Sequence, residues 1–156
     1  VQTCALPILE MLPLDQIQMI QFPLSIFDQR LIKNGFLNSL KDKGIKLLAR
    51  SIFLQGIMLD DTKKLPSFLT NQFLNHHLNF SKILREQKVS PLEASLGFIF
   101  RQNFIDYVLV GVSSNNDLKE ILLTLESSSS LLAELPKGDD FWAWGNNFDQ
   151  IGRAHV

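Results

Sequence analysis

Apolar positions along this chain switch repeatedly between two spacings, and the switches mark the elements. Residues 17–25, IQMIQFPLS, form an apolar, β-compatible segment. It is ended by Pro23, which has no N–H to give a sheet ladder. Over residues 26–43 the spacing becomes helical, with Leu31, Ile32, Phe36, Leu37 and Leu40 at three- and four-residue steps. Asp28 reads as the N-cap or first-turn acid of that helix, and Lys41, Lys43 and Gly44 suit its C-terminal end. Gly35 lies inside it and costs about 1 kcal/mol relative to Ala, so the helix is expected to bend or break there. Residues 45–51, IKLLARS, are a short apolar run after Gly44 and predict a buried strand.

The connection over residues 52–70 carries Gly56, Asp60, Asp61 and Pro66. Loops this long in a compact domain are often functional. Residues 71–87 read as a helix with Phe73, Leu74, Leu78, Ile83 and Leu84 on one side. Ser90, Pro91 and Glu93 then form a helix start, with Ser as N-cap, Pro in the first turn and Glu in the capping-box position. That helix is expected to reach about residue 102. Residues 106–112, DYVLVGV, are the clearest buried strand, followed by a turn over 113–116 and a last helix over 117–126. After the serine run at 127–130, residues 131–150 place Phe141, Trp142, Trp144 and Phe148 among Gly, Asp and Asn. They read either as an irregular tail packing its aromatics on the body or as the wall of a substrate pocket.

The order β-α-β-loop-α-α-β-α predicts an α/β fold whose strands lie parallel, joined by right-handed crossovers. Three strands cannot close a barrel. Both sheet edges and one sheet face are therefore expected to be open, leaving the isolated chain marginally stable or oligomeric.

Composition removes several function classes. The 156 residues are 46% hydrophobic and 20% charged, with a net charge of −1. Such a balance provides no basic face for nucleic acid or an anionic membrane. No apolar run approaches the roughly 20 residues of a membrane span, and the start of the chain lacks a basic region followed by an apolar stretch. Cys4 is the single cysteine, so no internal disulfide or cysteine-based metal site is available. These features predict a cytoplasmic protein.

The two ends match each other as nucleic acid. Residues 3–8, TCALPI, can be encoded by a DNA string whose reverse complement, shifted in frame, encodes residues 151–156, IGRAHV. We read residues 1–8 and 151–156 as translated adapter sequence and expect the fold to lie within 9–150 as part of a longer protein.

Three stretches carry a family resemblance. Residues 20–30 read IQFPLSIFDQR, residues 44–56 read GIKLLARSIFLQG, and residues 107–122 read YVLVGVSSNNDLKEIL. Taken in order, over about residues 9–125, they resemble the sixth, seventh and eighth strands of the aldo-keto reductases with the turns beyond them. The resemblance implies a partial (β/α)8 TIM barrel, roughly strands 6 to 8 with their helices, in which ligands sit at the carboxyl ends of the strands. It also implies a parent oxidoreductase that reduces aldehydes or ketones by hydride transfer from NADPH, with NADH as the other candidate.

The same resemblance assigns expected roles. Gln21 would hold the nicotinamide carboxamide with its amide, which both donates and accepts; otherwise it is a satisfied structural amide. Arg50 and Ser51 would open a loop along the pyrophosphate, continued by Phe53, Leu54, Gln55 and Gly56, with backbone N–H groups facing phosphate oxygens. Many relatives carry an aromatic residue at the Arg50 position. Arg50 either stacks its planar guanidinium on the nicotinamide or binds an acidic substrate. Gly111 and Ser113 would lead into a helix N-terminus that holds the adenosine 2′-phosphate, with Glu120 on the adenine. Asp117 departs from the basic or amide residue common there, which weakens NADPH relative to NADH.

The resemblance further implies a tyrosine acid, a lysine, an aspartate and a histidine, all from the N-terminal half of the barrel. The one tyrosine here, Tyr107, starts a predicted strand and reads as core or barrel-bottom packing. His76 and His77 are adjacent, and adjacent helical residues point about 100° apart, so they read as a solvated helix face rather than a metal pair. The chain alone is therefore expected to be inactive. A non-catalytic cofactor-binding regulatory subunit on the same barrel is the alternative, and an unrelated α/β barrel the third reading. The substrate pocket would be built by residues 57–70 and the tail beyond Ser130.

Overall fold

Strand and helix alternate as the apolar spacing requires, and the three strands make one parallel sheet in the order β1-β2-β3. A computed structural model describes residues 17–32, 35–60, 69–127, 135 and 137–144. The expectations for residues 1–8 and 151–156, for the connection over 61–68 and for Phe148 lie outside the described residues.

Strand β1 is Met19–Pro23, β2 is Lys46–Arg50 and β3 is Tyr107–Val108. Gln21 lies opposite Leu48, which lies opposite Tyr107, and the next row is Phe22, Ala49 and Val108. Alternation then assigns the faces. Phe22, Leu47 and Ala49 are buried in one core with Leu37, Leu40, Leu96 and Ile99. The other face presents Met19, Gln21, Lys46 and Tyr107, all exposed, with Leu48 and Arg50 half-buried. Tyr107 is 52% exposed on that face, which corrects its expected packing in a core or barrel bottom.

The helix expected over 26–43 forms only its second part, α1, Phe36–Asp42. Leu24, Ile26 and Phe27 are all buried, and Ser25 N–H bonds to the Asp28 carbonyl and Ile32 N–H to that of Gln29, in place of a helical ladder. The segment folds as turns instead. Asp28 N–H donates to Ser25 Oγ at 3.0 Å, and Gln29 Nε2 donates to the Ile26 carbonyl at 2.7 Å. Asp28 caps nothing helical; its carboxylate takes the Arg30 guanidinium at 2.8 and 3.0 Å. Gly35, at φ 69°, is the N-cap of α1, so the expected break falls there. At the other end Gly44, at φ 77°, donates to the Lys41 carbonyl while Ile45 donates to that of Leu40. That pair of bonds is a Schellman stop.

Helix α2, Asn71–Gln87, is capped by Thr70, whose Oγ1 accepts from Phe73 N–H. It buries Phe73, His77, Phe80 and Leu84 at three- and four-residue steps. Helix α3, Pro91–Phe100, has the expected capping box: Glu93 N–H donates to Ser90 Oγ at 3.1 Å and Ser90 N–H to Glu93 Oε2 at 2.7 Å. Six successive residues, 94–99, are buried, as befits a helix enclosed on several sides.

β3 is shorter and less buried than DYVLVGV predicts. Hydrogen bonds from Asp106 N–H to Leu47 and from Leu109 N–H to Ala49 bracket it. Beyond that point β2 offers no continuation, because the next carbonyl on that side, Ser51 O, is taken by Leu54 N–H and Ser51 turns to φ 58°. Leu109 and Val112 are consequently exposed. Helix α4, Asn115–Glu126, begins two residues earlier than expected, with Ser114 as N-cap.

A short 3₁₀ turn, Asp139–Trp142, docks the tail on α2 and α3. Trp142 is wholly buried, 5.0 Å from Phe80 between ring centroids. Asp139 takes the Arg101 guanidinium at 2.7 and 3.0 Å, its carbonyl accepts from Gln29, and Trp144 N–H donates to the Phe27 carbonyl. Of the two readings of the tail, packing is what Trp142 and Trp144 display. Among the described residues no helix is long and apolar enough to cross a membrane.

Candidate functional site

Because the strands are parallel, their carboxyl ends share one edge of the sheet, the place where ligands bind in α/β folds. That edge gathers Pro23 at the end of β1, Arg50 at the end of β2, and the chain leaving β3 through Gly111. Gln21 stands two residues short of the end, in the middle of β1, exposed on the uncovered face. Pro23 pairs with Arg50, and alternation puts Gln21, Pro23 and Arg50 on the same face.

Arg50 is half-buried and its Nη1 donates to Ser51 Oγ at 3.2 Å. The loop beyond it is tightly wound. Ser51, Leu54, Gln55 and Gly56 have φ of 58°, 47°, 57° and 88°. Left-handed backbone is costly for side-chain-bearing residues, at roughly 1–2 kcal/mol each. Internal bonds hold the coil: Leu54 N–H donates to Ser51 O, Gly56 and Met58 N–H to Phe53 O, and Ile57 N–H to Leu54 O, all at 2.8–3.1 Å. These four amides are thus committed within the loop, which narrows the backbone donors that residues 51–56 can offer a phosphate. Phe53 is half-buried and Leu54 buried, while Gln55 and Gly56 are exposed.

The third candidate segment has its own anion. Asp117 Oδ2 accepts from Ser113 N–H at 2.9 Å, Ser114 N–H at 3.1 Å and Ser113 Oγ at 2.7 Å, and Oδ1 accepts from Ser114 Oγ at 2.6 Å. The Ser114 hydroxyl, then the Ser113 hydroxyl and amide, hold the Asp117 carboxyl well below the usual carboxylate range. The turn before α4 therefore presents the amides and hydroxyls of Ser113 and Ser114 to an internal carboxylate. Glu120 is exposed and accepts from Asn116 Nδ2 at 3.1 Å. Gly111 and Ser113 are exposed beside it.

The histidines do not form the solvated helix face expected of them. His77 is wholly buried and its Nε2 lies 2.8 Å from the Ile57 carbonyl. His76 is half-buried, with Nε2 3.0 Å from the Trp142 carbonyl and ring neighbours Phe27, Trp142 and Trp144. Burial pushes the His76 pKa down, and the Trp142 carbonyl partly offsets this. Neither ring belongs to a solvated face. The available signal was the 73–77–80–84 spacing, which places position 77 in the apolar stripe of α2.

Comparison with known proteins identifies the family and the fold. The sequence model of the aldo/keto reductase family matches residues 8–131. A search of curated proteins returned no match. Among solved structures, the chain is similar to the apo form of aldo-keto reductase AKR11C1 from Bacillus halodurans at 20% identity and TM-score 0.68, over 88% of this chain and 47% of that one. The holo form gives 18% identity and TM-score 0.66, over 82% of this chain and 43% of that one. The chain thus spans less than half the length of the structures it matches, and it belongs to the aldo/keto reductase family.

Proposed function

We propose that this chain is the cofactor side of an NAD(P)H-dependent oxidoreductase that reduces aldehydes or ketones, built as strands 6 to 8 of a (β/α)8 barrel. The observation that carries this reading is the parallel pairing of the three strands, which directs the Arg50–Ser51 corner and the chain leaving β3 toward Ser113 to one edge of the sheet, with Gln21 on the face shared with Arg50. Gln21 would orient the nicotinamide carboxamide. Arg50 and the coil over 51–56 would flank the pyrophosphate, and Gly111, Ser113 and Glu120 the adenosine. The cofactor supplies the hydride. The residues here bind and orient it, and none supplies the proton: the one tyrosine, Tyr107, lies in β3. We place the protein in the cytoplasm.

The fit is uneven along the cofactor. An exposed amide at Gln21 suits a nicotinamide, and the exposed Gln55–Gly56 corner leaves room beside the pyrophosphate. At α4 the Asp117 carboxylate occupies the donors that a 2′-phosphate would use, and it would repel one. The fit therefore favours NADH over NADPH, opposite to the family resemblance alone. Titrating the purified chain with each dinucleotide by calorimetry tests the proposal. Saturable binding, tighter for NADH and without aldehyde turnover, is expected. No heat with either at millimolar concentration would refute it.

A further inference from the structure

His77 fills a position in α2 whose stripe partners, Phe73, Phe80 and Leu84, are apolar. A polar ring buried there is costly unless its nitrogens are used. The Nε2 is used: it meets the Ile57 carbonyl at 2.8 Å. A carbonyl only accepts, so Nε2 carries the hydrogen. Nδ1, the acceptor of that tautomer, lies 3.5 Å from Ser81 Oγ. Phe73 and Phe27 pack against the ring, with centroids 6.4 and 6.1 Å away. The imidazole is thus held in one orientation, aimed at one backbone atom.

That atom belongs to the residue immediately after the coil over 51–56. The coil contains four residues with left-handed φ, three of which are not glycine. Strained backbone of this kind persists only where surrounding structure over-determines it. A buried donor on a long helix provides such a constraint, and it ties the coil to a part of the core remote from the sheet edge.

We propose that His77 is a positioning residue that holds the 51–56 coil in the shape that receives the pyrophosphate of a dinucleotide. His77 acts through Ile57 and does not touch the cofactor. The inference rests on the proposed cofactor-side reading and adds a residue that reading does not contain.

The test compares wild type with H77F, which retains an aromatic ring and loses the donor. Calorimetry with NADH should show about tenfold weaker binding for H77F, the usual cost of losing pre-organisation. Amide hydrogen exchange at Leu54, Gly56 and Met58 should speed up about tenfold, with β2 amides unchanged. If H77F does not fold by circular dichroism, H77Q and H77M replace it. The two side chains have similar length, and only Gln has a donor, so H77Q should bind near wild type and H77M weakly. Equal binding by wild type and H77F, or by H77Q and H77M, overturns the inference while leaving the cofactor reading intact. Wild type that binds neither dinucleotide overturns the cofactor reading and the inference together.

Discussion

The carboxylate of Asp117 is bonded to both donors of Ser113, the hydroxyl at 2.7 Å and the amide at 2.9 Å. A side chain three residues into α4 thereby fills the anion seat that the helix and its preceding turn create. Replacing it should free that seat. D117A is expected to raise the affinity for NADPH relative to NADH about tenfold, as removal of one opposing charge and release of four donors implies. An unchanged ratio of the two dissociation constants would show that the 2′-phosphate lies elsewhere.

At the opposite edge of the sheet Asp106 joins three elements. It accepts Lys41 at 2.7 Å, Lys46 at 3.2 Å and Leu47 N–H at 2.9 Å. The bond from Lys41, then that from the Leu47 amide, lowers its pKa from 3.8 to about 2. A depressed carboxylate stabilises the fold above its unfolded pKa, and that contribution is lost as the pH falls through the folded value. Stability should therefore drop between pH 3.8 and about 2. D106N should be less stable at neutral pH and should lack this component of the acid response. Urea midpoints measured across that range decide it.

The two sheet faces differ in what a truncation should cost. Leu47 is fully buried toward the helices, and Leu48 is half-buried on the uncovered face. L47A should cost about 2–5 kcal/mol, and L48A less than half as much. Equal losses by chemical denaturation would mean that the second face is covered in solution.

His76 should make the docked tail sensitive to acid. Its folded pKa lies below 6.5 because burial disfavours the charged ring. Stability from this group is present above 6.5 and is lost as the pH falls below it. The protein has two tryptophans, Trp142 and Trp144, and both lie in the docked segment. Their emission should shift to the red between about pH 7 and 5, and H76F should flatten that response. An identical shift in H76F would assign the change to another group.

Local signals carried much of this fold. The capping box at Ser90 and Glu93 and the stop at Gly44 are short-range patterns, and each appears where its residues predict it. The side expected of α2 is corrected in part: Phe73 and Leu84 are buried, but Leu78 is exposed and the stripe passes through His77 and Phe80 instead. What escaped depends on tertiary partners. Residues 26–32 have helical-looking apolar steps, yet they fold as turns held by Ser25 Oγ on Asp28 N–H and by Gln29, whose amide also bonds the distant Asp139 carbonyl. The length of β3 is decided by where β2 stops, at Ser51, and nothing in DYVLVGV encodes that. In the site, Asp117 was legible as an acid out of place, but its return onto Ser113 and Ser114 was not. The His76–His77 pair draws attention as adjacent residues, while the place of His77 in the buried stripe shows only in the 73–77–80–84 spacing.

The central claim is the location of a dinucleotide at the carboxyl edge of this sheet. Nuclear magnetic resonance of the isotopically labelled chain, titrated with NADH, tests it most directly. The predicted result is a set of shifts confined to the Gln21 side chain, residues 50–56 and the turn from Gly111 to Glu120. Saturable shifts centred elsewhere, or none at millimolar NADH, would contradict the account.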